Sequence, residues 1–157
     1  MQDDVLIIVH ASAPRRIFAV GTLLVLGVIV LYLAIARPPQ DFGLQAFLIG
    51  FGLIVLWLTE RLRRATRSTL VLTETQLRTD SGEVLAEVAQ IESLDRGFFA
   101  FKPSNGFLVR LTHKAPYRWE PGMWWRHGRR IGVGGVAAAA QTKAMAEMLS
   151  AMIAQRD

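Results

Sequence analysis

One segment of the chain has glycines at the spacing of a nucleotide-binding turn. Residues 131–137 read Ile-Gly-Val-Gly-Gly-Val-Ala, in which Gly-x-Gly-x-x-Ala joins a strand-like stretch to a helix-like one. Helix N-termini attract phosphate, and glycines let the backbone approach it closely. A dinucleotide fingerprint also needs a following strand with an acidic residue about 20 positions on. The sequence between this motif and Asp157 shows only a helix-like pattern. We therefore expect these glycines to form a tight strand-to-helix turn and to bind no cofactor.

The residue types that perform catalysis or bind metals are few and scattered. The sequence has no cysteine, which excludes a thiolate nucleophile and a cysteine-based zinc site. The histidines (His10, His113 and His127) are not at i, i+4 spacing, and no Gly-x-Ser-x-Gly motif surrounds a serine. A solvated acidic edge is expected from Glu83, Glu87, Glu92 and Asp95. The residues thus indicate no metal site and favour a non-enzymatic protein, with an enzyme as the least favoured alternative.

A segment rich in tryptophan and arginine is the strongest candidate for a functional surface. Residues 117–130 hold three of the four tryptophans and four arginines. Both residue types are enriched in binding hot spots, and tryptophan also favours membrane interfaces. Alternatively, one or two tryptophans fill the core while the arginines cover its edge. Two adjacent residues of a strand point to opposite faces, so at most one of Trp124 and Trp125 is expected in the core. We predict contact with a partner or membrane at Trp119, Trp124, Trp125, Arg126, Arg129 and Arg130.

Two apolar runs indicate how this surface is anchored. Hydrophobic residues make up 52% of the chain and charged residues 20%, which excludes a disordered chain. Residues 17–36 carry no charge, and a helix of this length spans about 30 Å, the thickness of a bilayer core. A second apolar run covers residues 42–59, and Pro38 and Pro39 between the runs cannot continue a helix. The sequence therefore predicts a transmembrane helical hairpin.

Arginines flank this hairpin on one side only. They are Arg15, Arg16, Arg61, Arg63, Arg64 and Arg67. The loop between the helices has only Arg37 and Asp41, so the positive-inside rule places both termini in the cytoplasm. The same arginines are expected to contact anionic lipid. A signal peptide cleaved after residue 36 is less favoured, because the apolar run is longer than such peptides usually have.

The polarity of the two helices argues against transport by this chain alone. Neither apolar run contains an ionisable residue, whereas transport pathways usually do. Three small residues, Gly43, Ala46 and Gly50, share one face of the second helix at a spacing that admits another helix. The alternative is that glycine and alanine are simply common in membrane helices.

The remaining residues show strand periodicity and then a helix. Alternating or β-branched stretches predict strands at 69–73, 76–79, 83–88, 90–95, 98–102 and 107–112, with weaker candidates at 117–120 and 129–133. A final helix is expected at 136–154, with its apolar face made of Gln141, Met145, Met148, Leu149, Met152 and Ile153. The apolar stretch Val5–Val9 is favoured as a strand added to this domain over a prelude lying on the membrane surface.

The order of these elements resembles that of bacterial two-helix membrane proteins with a C-terminal pleckstrin-homology-like domain. The resemblance rests on the opening strand at 72–79, the stretch at 82–94, the hairpin and the final helix. It implies an antiparallel β-barrel or roll capped by the helix and used for recognition rather than chemistry. Eukaryotic lipid-binding members carry a basic cluster at their first hairpin, where this chain has only Arg78, so phosphoinositide binding does not carry over.

The expected fold class is therefore an α+β membrane protein. A cytoplasmic segment (1–16) precedes the hairpin (17–59), followed by a basic connector (60–68) and a cytoplasmic pleckstrin-homology-like domain (69–157). The expected function is that of a non-catalytic accessory or assembly protein of the bacterial inner membrane. Its expected partners are the phospholipid membrane and a larger membrane complex or a second copy of the chain, without nucleic acid or a small-molecule substrate. The alternative is a lipid-surface or envelope-stress module.

Overall fold

The computed structural model of the protein describes residues 4–96 and 106–157. Within these residues the chain forms two compact units, one of Ala13–Arg64 and one that joins the residues up to Ser12 to Ala65–Asp157. The helical unit is thus an insertion between the first strand and the rest of the second unit. The strand expected at 98–102 lies outside the described residues.

The helical unit consists of α1 (Ala13–Ala36) and α2 (Phe42–Ala65). Judged by length and composition, both helices are long and apolar enough to cross a membrane. Helix α1 begins ahead of the apolar run because Pro14 lies in its first turn, where no N–H is needed. The Asp41 carboxylate accepts a hydrogen bond from the Gly43 N–H at 2.8 Å and so caps the start of α2.

Helix α2 extends beyond the apolar run into the segment expected to be a basic connector. The Glu60 carboxylate lies 2.7 Å from the guanidinium groups of both Arg63 and Arg64. These pairs have the i, i+3 and i, i+4 spacing that stabilises a helix. The connector is therefore helical as far as Ala65.

The first sheet of the other unit contains strands from both sides of the helical insertion. Its order is β1 (Val5–Val9), β2 (Leu70–Thr73), β3 (Gln76–Thr79) and β4 (Val84–Glu87), and every neighbouring pair is antiparallel. Strand β1 is the one that the sequence favoured over a membrane-surface segment. It pairs along β2, with Val9 opposite Leu70.

The second sheet consists of β5 (Ile91–Asp95), β6 (Phe107–Glu120) and β7 (Trp124–Val133), again antiparallel. A 3₁₀ turn at Val88–Gln90 connects β4 to β5. Strand β6 is continuous where the sequence predicted two separate strands. The pairing of β6 with β7 shifts register on either side of Ala115, and such bulges bend a ribbon without ending it. Bulge residues interrupt the alternation of polar and apolar residues, which is why the pattern predicted a break.

A single core lies between the two sheets and the C-terminal helix α3 (Ala139–Arg156). Met145 and Leu149 of α3 are fully buried in it. The helix starts later than expected because residues 136–138 stay extended and pair with the chain after β1, with Ala11 opposite Ala137. Gln141 lies on the face expected to be apolar, and its side chain accepts a hydrogen bond from the His10 N–H at 2.7 Å.

The observed architecture belongs to the α+β class, which the sequence predicted. Two long apolar helices are followed by antiparallel sheets and a C-terminal helix, with one strand ahead of the helices.

Candidate binding surface

The β6–β7 ribbon, which carries the tryptophan- and arginine-rich segment, folds back on itself. Its strands pair from Phe107 opposite Val133 at one end to Glu120 opposite Trp124 at the other. The tip of the ribbon returns to the chain after β7, where the Gly134 N–H donates to the Met123 carbonyl at 2.8 Å. The ribbon is therefore bent near Ala115 and closed at its tip.

The glycine-rich segment after β7 is explained by this closure. The Val136 N–H donates to the Gly122 carbonyl at 2.8 Å. Gly135 has φ +94°, and a Cβ placed on it would lie 2.7 Å from the Gly122 oxygen. The N–H groups of Gly134 and Val136 are thus already bonded to backbone carbonyls and do not face a phosphate. These glycines form the tight turn that the sequence analysis favoured over a nucleotide site.

Trp124 and Arg126 point into the core, which corrects their assignment to a binding surface. Trp124 is 2% exposed and Arg126 8%. The Arg126 guanidinium carbon lies 5.8 Å from the centre of the Trp124 ring. Burial of this kind removes both side chains from contact with any partner.

The Arg126 guanidinium joins the two sheets. Its Nη1 donates to the carbonyls of Val84 at 3.1 Å and Leu85 at 2.9 Å in β4, and its Nε donates to the Pro116 carbonyl at 2.8 Å in β6. Burial lowers the pKa of Arg126, while the charge of Glu83 raises it and that of Arg118 lowers it. These bonds connect β4, at the edge of the first sheet, to β6 of the second sheet.

Trp125 lies on the opposite face of β7 and is only half-buried. Its indole lies directly against Gly132, and a Cβ on Gly132 would overlap the ring. Trp119 is directly opposite Trp125 in the register and is also half-buried. The outer face of the bent ribbon therefore presents both indoles.

Two arginines stand side by side on this same face. Arg130 lies two residues before Gly132 on β7, and Arg110 is directly opposite Arg130 on β6. Both side chains are exposed. Side chains opposite each other on a sheet approach within about 5 Å at Cβ, and like charges at that distance are destabilising. Within residues 4–96 and 106–157, neither guanidinium has an ion-pair partner.

We call this surface the Trp–Arg face and define it as Trp119, Trp125, Arg110 and Arg130. The register also places Asp95 of β5 on this face, opposite Leu108 of β6. Arg110 was missed in the sequence because it lies outside residues 117–130. Its alternation within Phe107–Thr112 places it on the outer face, but only the register places it next to Arg130.

Arg129 is held by neighbouring groups and does not join this face. Its Nε donates to the Leu111 carbonyl at 3.0 Å, and its Nη2 lies 3.0 Å from the Glu92 carboxylate. Arg118 similarly pairs with Glu83 and Glu120 at 2.7 and 3.0 Å. Arg118 and Arg129 thus have carboxylate partners, whereas Arg110 and Arg130 have none among the described residues.

Within the helical unit, α1 and α2 approach each other closely at two glycines. A Cβ on Gly27 would lie 2.7 Å from Leu56, and one on Gly52 would lie 2.7 Å from Leu31. The face of Gly43, Ala46 and Gly50 is not this contact. Among the described residues, a Cβ on Gly50 would meet no atom within 4 Å.

The arginines at the helix ends have different surroundings. Arg16 donates to the Arg63 carbonyl at 3.3 Å, and the Arg61 guanidinium lies 5.8 Å from the centre of the Trp57 ring. Arg15, Arg64 and Arg67 are exposed.

Metal chemistry has no support in the described part of the chain. No group of three histidine or acidic residues there is placed to hold a metal ion. Two of the histidines make local contacts, His113 with the Thr112 hydroxyl at 2.8 Å and His127 edge-on to Tyr117 at 5.9 Å between ring centres.

Comparison with known proteins gave no match to a family model, to a curated protein or to a solved structure.

Proposed function

We propose that this chain is a non-catalytic, membrane-anchored accessory protein that docks on a larger membrane complex through its Trp–Arg face. The pairing of β1 with β2 carries the proposal. Strand β1 precedes α1 and β2 follows α2, so the segments that flank the helical hairpin on its two sides belong to one folded unit. A hairpin inserted in a membrane then holds that unit, and the face it carries, on one side.

The arginine distribution supports a cytoplasmic location for that side. Exposed Arg15, Arg64 and Arg67 flank the hairpin ends, whereas the connecting loop has one arginine and one aspartate. Under the positive-inside rule this orientation is the favoured one, and it corresponds to a bacterial inner-membrane protein. Sheets of four and three antiparallel strands followed by α3 support a pleckstrin-homology-like fold for the unit.

The Trp–Arg face has the composition of a binding hot spot. Tryptophan and arginine contribute most to protein–protein affinity, particularly where they cluster. The juxtaposed Arg110 and Arg130 cost stability unless an anion neutralises them, which favours an acidic region of the partner. An anionic lipid headgroup is the competing ligand, since it offers the same charge.

The first experiment tests the anchoring. Reporter fusions after Asp157 and after Gln40 are expected to lie in the cytoplasm and the periplasm, respectively. A periplasmic phosphatase that is active when fused after Asp157 would reverse the proposed orientation. A fusion inserted after residue 3 should report the same compartment as the one after Asp157, because β1 pairs with β2.

The second experiment tests docking. The full chain, purified in mild detergent, is expected to retain a stoichiometric membrane protein, and Arg110→Glu with Arg130→Glu should release it. Lys143→Glu is the matched control, since Lys143 is exposed on α3 and outside the Trp–Arg face. If no protein is retained while the full chain binds vesicles containing phosphatidylglycerol in an Arg130-dependent manner, the lipid-surface alternative replaces docking.

A further inference from the structure

The segment ahead of the helical hairpin, residues 5–12, pairs with two parts of the chain that follow the hairpin. Its first part, β1, runs antiparallel to β2, with Val9 opposite Leu70. Its second part, residues 10–12, pairs with residues 136–138 after β7. The segment therefore connects the first sheet to the chain that leaves the second sheet, and we call it the N-terminal segment.

Hydrogen bonds hold the second part of the N-terminal segment in place. The Ser12 N–H donates to the Val136 carbonyl at 2.7 Å, and the Ala138 N–H donates to the His10 carbonyl at 2.9 Å. The His10 N–H donates to the side-chain oxygen of Gln141 at 2.7 Å. Both polar groups of the His10 main chain are thus bonded to the start of α3 or to the residue before it.

The N-terminal segment also supplies part of the core. Val9 is fully buried in the core that both sheets and α3 share, and Ile7 and Ala11 pack against that core. We call the place that the segment occupies, alongside β2 and residues 136–138, the β1 slot. Deletion of buried apolar groups is costly in a marginally stable domain. An empty β1 slot would therefore leave the core open.

The residues that pair with the N-terminal segment also hold the tip of the β6–β7 ribbon. Val136 accepts a hydrogen bond from Ser12 through its carbonyl and donates one to the Gly122 carbonyl through its N–H, at 2.8 Å. A filled β1 slot thus supports the turn that closes the ribbon. That ribbon carries Trp119 and Trp125 of the Trp–Arg face.

Only short connectors join β1 and β2 to the helical hairpin. Residues 10–12 lie between β1 and α1, and residues 66–69 lie between α2 and β2. Fully extended, these two connectors together reach about 25 Å. A bilayer with its headgroups is about 40 Å thick. Strand β1 can therefore pair with β2 only if α1 begins on the side of the membrane where α2 ends.

We propose that the β1 slot couples the folding of the unit that contains the sheets to insertion of the hairpin. This unit closes around its core only in chains that have both hairpin ends on one side of the membrane. In a chain with its hairpin ends on opposite sides, the slot stays empty and the unit, with its Trp–Arg face, remains open to proteolysis. The inference rests on the membrane anchoring proposed above and is independent of docking.

An additional membrane span tests this coupling without a change in the core. A helix of about 20 leucine and alanine residues, inserted after Gln40, adds one crossing and is expected to separate the two hairpin ends. Two such helices joined by a short polar loop restore an even number of crossings and are the matched control.

The side of the N-terminus is measured by cysteine labelling. The natural chain has no cysteine, so Gln2→Cys, carried by every variant, provides a single thiol. In vesicles whose cytoplasmic face is outward, an impermeant maleimide labels this thiol when the N-terminus is cytoplasmic. The one-span chain is expected to be protected from the maleimide, and the wild-type and two-span chains are expected to be labelled.

Folding of the unit that contains the sheets is measured by its resistance to thermolysin, which freeze–thawing introduces on both sides of the membrane. Proteases cut the open form of a domain, so the rate of cleavage reports the population of that form. In one-span chains protected from the maleimide, we expect this unit to be cut at least about tenfold faster than in the two-span control.

The end of the chain lies beside the start of β1. Leu6, Met152 and Arg156 line one cavity. Arg156 also donates to the carbonyls of Val88 at 3.1 Å and Ile91 at 2.7 Å, which holds the last turn of α3 against the sheets. A segment appended to the end of the chain can therefore start where β1 starts.

An appended copy of the N-terminal segment distinguishes an empty slot from general damage. Residues 1–12 are added after Asp157 through about eight glycine and serine residues, a linker that reaches roughly 15 Å. The copy is then on the same side as the slot and at high effective concentration. It is expected to return the cleavage rate of the one-span chain to that of the two-span control, whereas a copy with Val9→Asp should leave it unchanged, because Val9 is fully buried.

Two results would overturn this inference alone. One is equal cleavage of the one-span and two-span chains, and the other is an appended copy that does not slow cleavage of the one-span chain. Release of the wild-type chain from the membrane by alkaline carbonate would instead overturn both the anchoring and the coupling.

Discussion

Arg126→Met is expected to loosen the junction between the two sheets. The wild-type guanidinium donates to Val84 and Leu85 in β4 and to Pro116 in β6. Methionine fills a similar volume but donates no hydrogen bond, so these carbonyls lose their partner at a site that is 8% exposed. The variant therefore removes the hydrogen-bonded link between β4 and β6.

The size of the effect follows from two opposing contributions. Hydrogen bonds from a charged donor each contribute about 1.5–3 kcal/mol, and a buried carbonyl without a partner costs about 1–3 kcal/mol. Against this, the variant no longer buries a charge, a cost visible in the lowered pKa of Arg126. Breaking a buried charged network typically costs about 3–5 kcal/mol, and we expect about 3 kcal/mol here because of that compensation.

The assay is a urea titration of the full chain in detergent, followed by tryptophan emission. Trp124, one of four tryptophans that contribute to this emission, is next to the Arg126 guanidinium and reports on the junction. With a slope of about 2 kcal/mol per molar urea, a loss of 3 kcal/mol moves the midpoint by about 1.5 M. Arg126→Lys should lose less, since an ammonium keeps the charge but not the fork geometry.

Arg130→Met is the matched control, because Arg130 is exposed on the same strand. Surface changes of this kind usually stay within about 0.5 kcal/mol. Equal midpoints for Arg126→Met and Arg130→Met would refute the assigned role of Arg126 in joining the sheets.

Two further changes can be measured in the same titration. Gly135→Ala should cost about 2–4 kcal/mol because its Cβ would meet the Gly122 oxygen at a positive φ, whereas Gly82→Ala, with a similar φ and open space, should cost about 1 kcal/mol. Equal costs would mean that the ribbon tip does not close on this glycine. Leu149→Asp buries a charge in the core and should cost at least about 4 kcal/mol, whereas Lys143→Asp on the exposed side of α3 should cost under about 0.5 kcal/mol. Equal tolerance of these two changes would mean that α3 is not packed on the sheets.

The sequence by itself predicted the elements whose formation depends on adjacent residues. Two uncharged apolar runs separated by Pro38 and Pro39 predict two long helices, because helix length and hydrophobicity are properties of a continuous segment. Strand β3 has the bounds that its alternation predicted, Gln76–Thr79. A strand at Val5–Val9 was favoured because an apolar stretch too short to span a membrane needs a surface to cover it.

The bounds of a helix or strand were less predictable where an interaction with another segment sets them. Helix α3 starts at Ala139 because residues 136–138 pair with the chain after β1, at Ala11. Strand β6 continues through Ala115 because β7 stays paired with it across the bulges. Neither partner is visible in the local sequence, which shows only the period of each segment.

Only the tertiary structure decided which tryptophan enters the core and which arginines share a face. Alternation shows that Trp124 and Trp125 point in opposite directions, but the direction of the core depends on how the bent ribbon lies against β4. The neighbouring positions of Arg110 and Arg130 depend on the β6–β7 register, which links residues on different strands. The cavity beside Met152 is formed by segments from both ends of the chain. A sequence pattern reports the period of a single segment, whereas register, bending and closure are set by packing between segments that are distant in the chain.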